Sequence, residues 1–286
     1  MAHTDDRRIL VPLDGSEASA GILRSAWPLL SEPGLLVELL GVVPTGGAAP
    51  EVEDAEDRLQ AALEATAAEL RRRGVEVEVQ VARGDPASRI LARAVETRPE
   101  LLVMATHGRS GVSRWVRGSV AERVLRQAGV PLFLANPAAL EAGAPASLQR
   151  ILVALDGSPL ADRILPHVAR VASAFGAEVT LLRVEPFVPR EASPLAQTWD
   201  PARLRETLVP RAEQLRALGI PVATQAAYGI EAAEILRAAE QADLVALTTH
   251  GRSGPSRWWF GSVAEQVLRE CTCPLLILRP EMEATS

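Results

Sequence analysis

Residues 105–126 read ATHGRSGVSRWVRGSVAERVLR and residues 248–269 read TTHGRSGPSRWWFGSVAEQVLR, identical at 17 of 22 positions. Earlier in each half, ILVPLDGS (9–16) matches ILVALDGS (151–158) at seven of eight. The offsets are 143 residues (105 to 248) and 142 residues (9 to 151). A period that long means one domain duplicated, since solenoid repeats are far shorter. At 286 residues the chain suits two domains of roughly 140 residues, each large enough for its own core. Between the two matching segments the halves have diverged. What is repeated is rich in Gly, Ser, His and Asp, which points to a site as well as a core.

Short apolar runs alternate with longer amphipathic stretches in each half. In the first they are RILVPL (8–13), LLVELLGVV (35–43), VEVEVQVA (75–82), LLVMAT (101–106) and PLFLA (131–135). In the second they are RILVAL (150–155), EVTLLRV (178–184), IPVATQAA (220–227), DLVALTT (243–249) and PLLIL (274–278). Near-continuous Val/Leu runs suit strands buried on both faces, hence a parallel sheet. The stretch 55–74 places Leu59, Leu63 and Leu70 on one helical face and stops at Gly74. This alternation predicts an α/β chain of two tandem doubly wound domains, each with a five-stranded parallel sheet. The Pro/Ala/Gly-rich stretch 136–149 is the natural joint, which gives domains 1–137 and 149–286 and a linker at 138–148. The segments 44–54 and 186–201, each after the second strand of its half, read as long loops that could cover a ligand or simply lie on the surface.

Composition narrows the chemistry. A net charge of −6 argues against a nucleic-acid binder. The chain has no lysine, which excludes a lysine-dependent phosphate loop and any Schiff base. Its two cysteines, Cys271 and Cys273, have no ligand cluster near them in sequence, so they read as a pair flanking a strand start, and neither a zinc site nor a disulfide framework is expected. MAHTDDRR carries no apolar signal region, and no run approaches the ~18 apolar residues of a membrane span. A cytoplasmic location with no membrane association is therefore expected.

The repeated block has a physical logic. His107-Gly108 follows a strand, nine residues separate Gly108 from Gly118, and Ser119 stands where a helix begins, as its N-cap. Glycines admit close backbone approach, and free helix N–H groups favour an anion without needing lysine. The layout recurs in His250, Gly251, Gly261 and Ser262. Asp14 and Asp156 end the first strand of each half, where a carboxylate could cap the next helix or accept hydrogen bonds from a ribose or an amino group. In open α/β sheets, ligands sit outside the carboxyl ends of strands at the switch in strand order. His107 and His250 lack a sequence-adjacent nucleophile or acid, which favours a phosphate-side or loop role over catalysis. The loop arginines (Arg109, Arg114, Arg117, Arg252, Arg257) could reach phosphates or remain solvated. Trp115, Trp258 and Trp259 suit packing or partner contact better than base stacking.

The pairing of (I/V)-L-V-x-x-D-x-S with G-x-x-G, nine residues and G-(S/T) resembles the universal stress protein family, once per half. The resemblance implies a Rossmann-like, adenine nucleotide alpha hydrolase-like domain that binds ATP, with ADP or AMP as alternatives and Mg²⁺ accompanying the phosphates. By that resemblance the first site comprises Pro12, Asp14, Val42, Ala105, His107, Gly108, Gly118, Ser119 and Val120. The second comprises Ala154, Asp156, Val184, Thr248, His250, Gly251, Gly261, Ser262 and Val263. Ala105 and Thr248 replace the first glycine of the motif; Thr248 puts a β-branched side chain where backbone should approach ligand. The resemblance also implies pairing of the last strands, PLFLAN (131–136) with PLLILR (274–279), as an intramolecular pseudo-dimer, with room for a further homodimer.

The expected function is thus adenine-nucleotide binding in stress tolerance, with at most slow hydrolysis and no dedicated catalytic residues. Two alternatives stand beside it. One is an ATPase or nucleotidyl-transfer enzyme, which would need Asp14 or Asp156 near a metal. The other is a stress protein that binds no nucleotide and works through protein partners, which the altered glycine positions keep open.

Overall fold

The computed structural model describes residues 7–46, 49–106, 119–141, 148–187, 199–249 and 261–279. The chain divides into two compact units, Met1–Ala144 and Pro145–Ser286.

The first unit runs β1 (Arg8–Pro12), α1 (Glu17–Ser25), α2 (Trp27–Leu30), β2 (Leu36–Val43), α3 (Ala49–Arg72), β3 (Glu76–Arg83), α4 (Pro86–Thr97), β4 (Leu101–Ala105), α5 (Ser119–Gln127), β5 (Leu132–Ala135) and α6 (Pro137–Glu141). Its strands lie in the order β3-β2-β1-β4-β5, each neighbouring pair parallel. The chain winds outward from β1 to β3, then crosses back to β4 on the other side of β1. The switch in strand order therefore falls between β1 and β4. Leu10, Val11, Val37, Leu39, Leu102 and Val103 are buried between the helical layers, as a parallel sheet requires. Helix α3 buries Leu59, Leu63, Ala67 and Leu70, one face at helical spacing, against β2 and β3. It lies so close to β2 that a Cβ on Gly41 would meet Leu59 and Leu63 at 2.8 Å. Among the described residues one charged group is buried: Glu38 in β2 accepts from Arg8 at 2.7 Å and Arg93 at 2.5 Å, the paired arrangement an interior carboxylate needs.

The second unit repeats the plan with β6 (Arg150–Ala154), α7 (Pro159–Asp162), α8 (Leu165–Phe175), β7 (Glu178–Pro186), α9 (Pro201–Glu206), α10 (Val209–Arg216), β8 (Val222–Gly229), α11 (Glu231–Ala239), β9 (Leu244–Thr248), α12 (Ser262–Glu270) and β10 (Leu275–Leu278). Its strand order is β8-β7-β6-β9-β10, again parallel throughout. Each unit is thus a doubly wound α/β domain with a five-stranded parallel sheet, as the sequence predicts. Among the described residues, no helix is long and apolar enough to cross a membrane.

Two segments differ from the sequence reading. Residues 49–54, read as loop, are the first turns of α3, where Ala49-Pro50-Glu51 suits a helix start through proline's fixed φ and an early acid. The start of the stretch read as linker is helix α6. Asn136 accepts from the Ala139 N–H at 2.8 Å, Pro137 opens the helix, and α6 packs on α1 with Ala139 fully buried. Of the second long loop, 188–198 lies outside the described residues; beyond it, Asp200 caps α9 by accepting from Ala202 and Arg203 N–H.

Candidate functional site

The two Asp-Gly-Ser turns divide their work residue by residue. In the first, Asp14 Oδ1 accepts from the Ser16 N–H (2.9 Å) and hydroxyl (2.6 Å), and Gly15 takes φ +79°. Ser16 then caps α1 by accepting from the Ser19 N–H at 3.1 Å. In the second, Asp156 Oδ1 accepts from the Ser158 N–H at 2.8 Å, Gly157 takes φ +83°, and Ser158 caps α7 through the Ala161 N–H at 3.1 Å. Helix capping therefore falls to the serine, while the aspartate braces the turn with one oxygen and is held at the strand's carboxyl end.

The second turn is buttressed by residues that motif reading overlooked. Arg211 of α10 makes a two-pronged pair with Asp162 (2.7 Å on each side) and also donates to the Gly157 carbonyl at 3.4 Å. The hydrogen bond with Asp162 raises the Arg211 pKa against the opposing effect of burial. Arg183 of β7 lies against Gly157, where a Cβ would come within 2.7 Å of its guanidinium, and donates to the Thr207 hydroxyl at 2.6 Å. Arg183 is the one basic residue of the run EVTLLRV, and nothing in that run says what it touches.

At the carboxyl ends of β6, β7 and β9 lies a cavity of about 260 Å³. Ala154, Asp156, Val184, Thr248, Gly261, Ser262 and Val263 line it, so seven residues singled out in the second half converge on one space. The sheet order explains this: β6 stands between β7 and β9, so their ends are neighbours although 94 positions separate Ala154 from Thr248 (248 − 154). The sequence reading missed Leu155, Leu182, Ile235 and Leu247, which add apolar wall, buried Thr249, which adds a polar residue, and Glu231 at the start of α11, which adds a second carboxylate. Thr248, the residue in place of the motif's first glycine, is among the residues that line the cavity.

The N-terminus of α12 forms part of the same wall. Its N-cap is Gly261, with no side-chain capping bond, and Ser262 is already helical. Ser119 likewise opens α5 from inside the helix. Ser119 was expected as the N-cap of α5; in the second unit, where the cap residue is described, it is Gly261, whose N–H is spent on the Thr249 carbonyl at 3.1 Å and whose backbone stays extended. A Cβ on Gly261 would sit 3.1 Å from that same carbonyl, so this glycine serves the approach of helix to strand. The helix therefore presents first-turn N–H groups that its cap residue leaves unsatisfied, beside a polar and apolar cavity, the arrangement that attracts an anion.

In the first unit Pro12, Asp14, Val42 and Ala105 stand at the carboxyl ends of the neighbouring strands β1, β2 and β4, and Val120 lies in the first turn of α5. His107, Gly108, Gly118, His250 and Gly251 lie outside the described residues, as do the loop arginines and Trp115, Trp258 and Trp259.

Comparison with known proteins agrees with this architecture. The model of the universal stress protein family matches residues 6–135 and again 147–279. A universal stress protein of Mycolicibacterium smegmatis is 27% identical over 213 residues, covering 72% of this chain and 70% of that protein. One from Methanocaldococcus jannaschii is 29% identical over 139 residues, 46% of this chain and 82% of its own length. The crystal structure of a universal stress protein from Archaeoglobus fulgidus superposes with a TM-score of 0.77 at 22% identity, covering 97% of this chain and 99% of that one. With the family pattern matched once in each unit, on the strands and helices described above, this chain belongs to the universal stress protein family as a tandem, two-domain member.

Proposed function

We propose that the chain is an adenine-nucleotide-binding protein of stress tolerance, acting in the cytoplasm, with ATP as ligand and at most slow hydrolysis. The observation that carries this reading is the second-unit cavity, where a braced carboxylate (Asp156) and the uncapped start of α12 share one space with apolar walls. The chemistry is complementary across these elements. Carboxylates suit the hydroxyls of a ribose or an exocyclic amine, Val184 and Ile235 suit a planar base, and helix N–H groups suit phosphates. About 260 Å³ is slightly under the usual range of ligand pockets, roughly 300–1,000 Å³, which fits a nucleoside with its phosphates directed outward along Gly261 and Ser262. Thr248 and Val263 would flank those phosphates, with Ala154 beneath the base and His250 and Gly251 on the phosphate side. Mg²⁺ would be carried by the phosphates; ADP and AMP fit the same chemistry. The first-unit set, Pro12, Asp14, Val42, Ala105, His107, Gly108, Gly118, Ser119 and Val120, is proposed as a second site of the same kind.

Isothermal titration with ATP, ADP and AMP, with and without Mg²⁺, tests this on wild type and Asp156→Asn. Asparagine keeps an oxygen for the Ser158 N–H, so the turn survives while the charge is lost. Loss of a charged acceptor costs about 1.5–3 kcal/mol, roughly tenfold or more in Kd. A wild type that binds no adenine nucleotide refutes the reading. Equal affinity in the variant would move the site away from this cavity. Rapid phosphate release would favour the ATPase alternative, for which Asp156 and Glu231 are the carboxylates at hand.

A further inference from the structure

The second unit carries a pair of thiols that its fold does not require. Cys271 caps the C-terminus of α12, Cys273 lies two residues on, and β10 begins at Leu275. Their sulfurs stand 3.4 Å apart. At the equivalent positions before Pro131, the first unit has Ala128 and Val130 and builds the same helix-to-strand turn without sulfur. The thiols are the only two in the chain, so nothing else competes for either.

We propose that Cys271 and Cys273 are a redox-active dithiol, oxidised reversibly to an intrachain disulfide by a low-molecular-weight disulfide of the glutathione type. Three observations converge on this. The sulfurs need to close by only about 1.4 Å, from 3.4 Å to the ~2.0 Å of a disulfide, within a turn free of helix or strand. Their exposures differ, Cys271 being 1% exposed and Cys273 partly exposed, which gives an incoming reagent one sulfur to meet and leaves the other as its internal partner. The pair is also pre-polarised. The hydrogen bond from Cys273, helped by backbone N–H groups of Cys273 and Thr272, holds the Cys271 thiol below its usual value, while the same bond, burial and the charge of Asp243 push Cys273 up. The first proton lost belongs to the pair and its charge rests mainly on Cys271; the Cys273 sulfur attacks in the tautomer in which the shared proton has crossed the short S···S contact to Cys271. Among the described residues, no group of three or more His, Cys, Asp or Glu could hold a metal ion with these thiols, and exchange is the chemistry proposed for them.

The steps balance as two exchanges. The Cys273 sulfur, as thiolate, attacks one sulfur of the glutathione disulfide; that S–S bond breaks, one glutathione thiolate leaves and takes up a proton, and a mixed disulfide remains on Cys273. The Cys271 thiolate then attacks the Cys273 sulfur, forming the Cys271–Cys273 bond and expelling the second glutathione. The protein loses two electrons and two protons, and one glutathione disulfide becomes two glutathione thiols. A ring spanning a single intervening residue is strained, which places such a bond among the readily reduced disulfides.

The full-length reduced protein, equilibrated in glutathione buffers of graded ratio and read by intact and fragment mass spectrometry, tests this. The expected product is monomeric, lacks two hydrogens in the fragment containing 271–273, and loses both dye-reactive thiols in one two-electron transition that dithiothreitol reverses. Cys271→Ala and Cys273→Val copy the first unit and so preserve the packing of the turn. Cys271→Ala is expected to stop as a glutathione adduct on Cys273, and Cys273→Val to react at least tenfold more slowly than wild type, its remaining sulfur being buried. A wild type that keeps a stable glutathione adduct, forms dimers linked between chains, or stays reduced at the most oxidising ratio overturns the proposal. None of these readouts involves nucleotide, so the result is separable from the proposed nucleotide site.

Discussion

Asp156 shows how one side chain serves fold and site together: an oxygen braces the Asp-Gly-Ser turn through the Ser158 N–H, and the residue borders the cavity. Its place at a strand end, repeated at Asp14, was legible because the spacing of Asp, Gly and Ser is a local matter. Arg183 and Arg211 were not, since what gives them their role is a neighbour about 25 and 55 residues away, brought near only when β7 and α10 pack. At the same scale, His167 in α8 is half-buried, and burial lowers its pKa below the usual histidine value. In the window between the lowered native value and the ordinary unfolded value near 6.5, the unfolded chain binds more protons, so stability rises with pH. The contribution is full above that unfolded value and is lost as pH falls through the window. Denaturant unfolding of wild type and His167→Gln between pH 7.5 and 5 should therefore show a steeper loss in wild type, and parallel curves would refute the assignment.

Between elements, the closest approaches explain glycines that motif reading had assigned elsewhere. Gly261 looked like a residue cleared for ligand, yet its added Cβ would press on the Thr249 carbonyl, so a branched residue there tests helix–strand packing first. Gly41 had no motif at all, and it lets α3 lie on β2. Gly41→Ala is expected to destabilise the first unit by about 1–3 kcal/mol, because Leu59 and Leu63 at 2.8 Å must move within a packed layer. A denaturation midpoint unchanged from wild type would contradict that. Helix α3 itself was visible in the period of Leu59, Leu63 and Leu70, but its first turns were not, since residues 49–54 combine a proline with three acidic side chains that equally suit a loop. The same holds for α6, whose short Asn-Pro start is a weak signal until α1 offers it a face.

For the molecule as a whole, duplication makes one argument count twice: both units show the order 3-2-1-4-5 with parallel strands, and both place the Asp-Gly-Ser turn and the strand end at Ala105 or Thr248 beside the switch. Linkage then gives a test read from stability. If the second-unit cavity takes ATP, nucleotide at about a hundred times its Kd should stabilise the unit that binds it by about 2.7 kcal/mol, and Asp156→Asn should lose about half or more of that gain at the same concentration. A thermal scan in which wild type and variant respond alike to ATP would refute the site. The order of elements, the tandem plan, the family and the residues at strand ends were determined by the sequence itself, because they rest on apolar periodicity and on short spacings that act within one turn or one strand. The tertiary structure alone decided which residues share a space. Glu231 at the head of α11, the guanidinium brace under Gly157, the carbonyl that requires Gly261, and the cavity that joins β6, β7 and β9 all depend on parallel strands far apart in sequence lying side by side, a proximity set by long-range packing that no local pattern encodes.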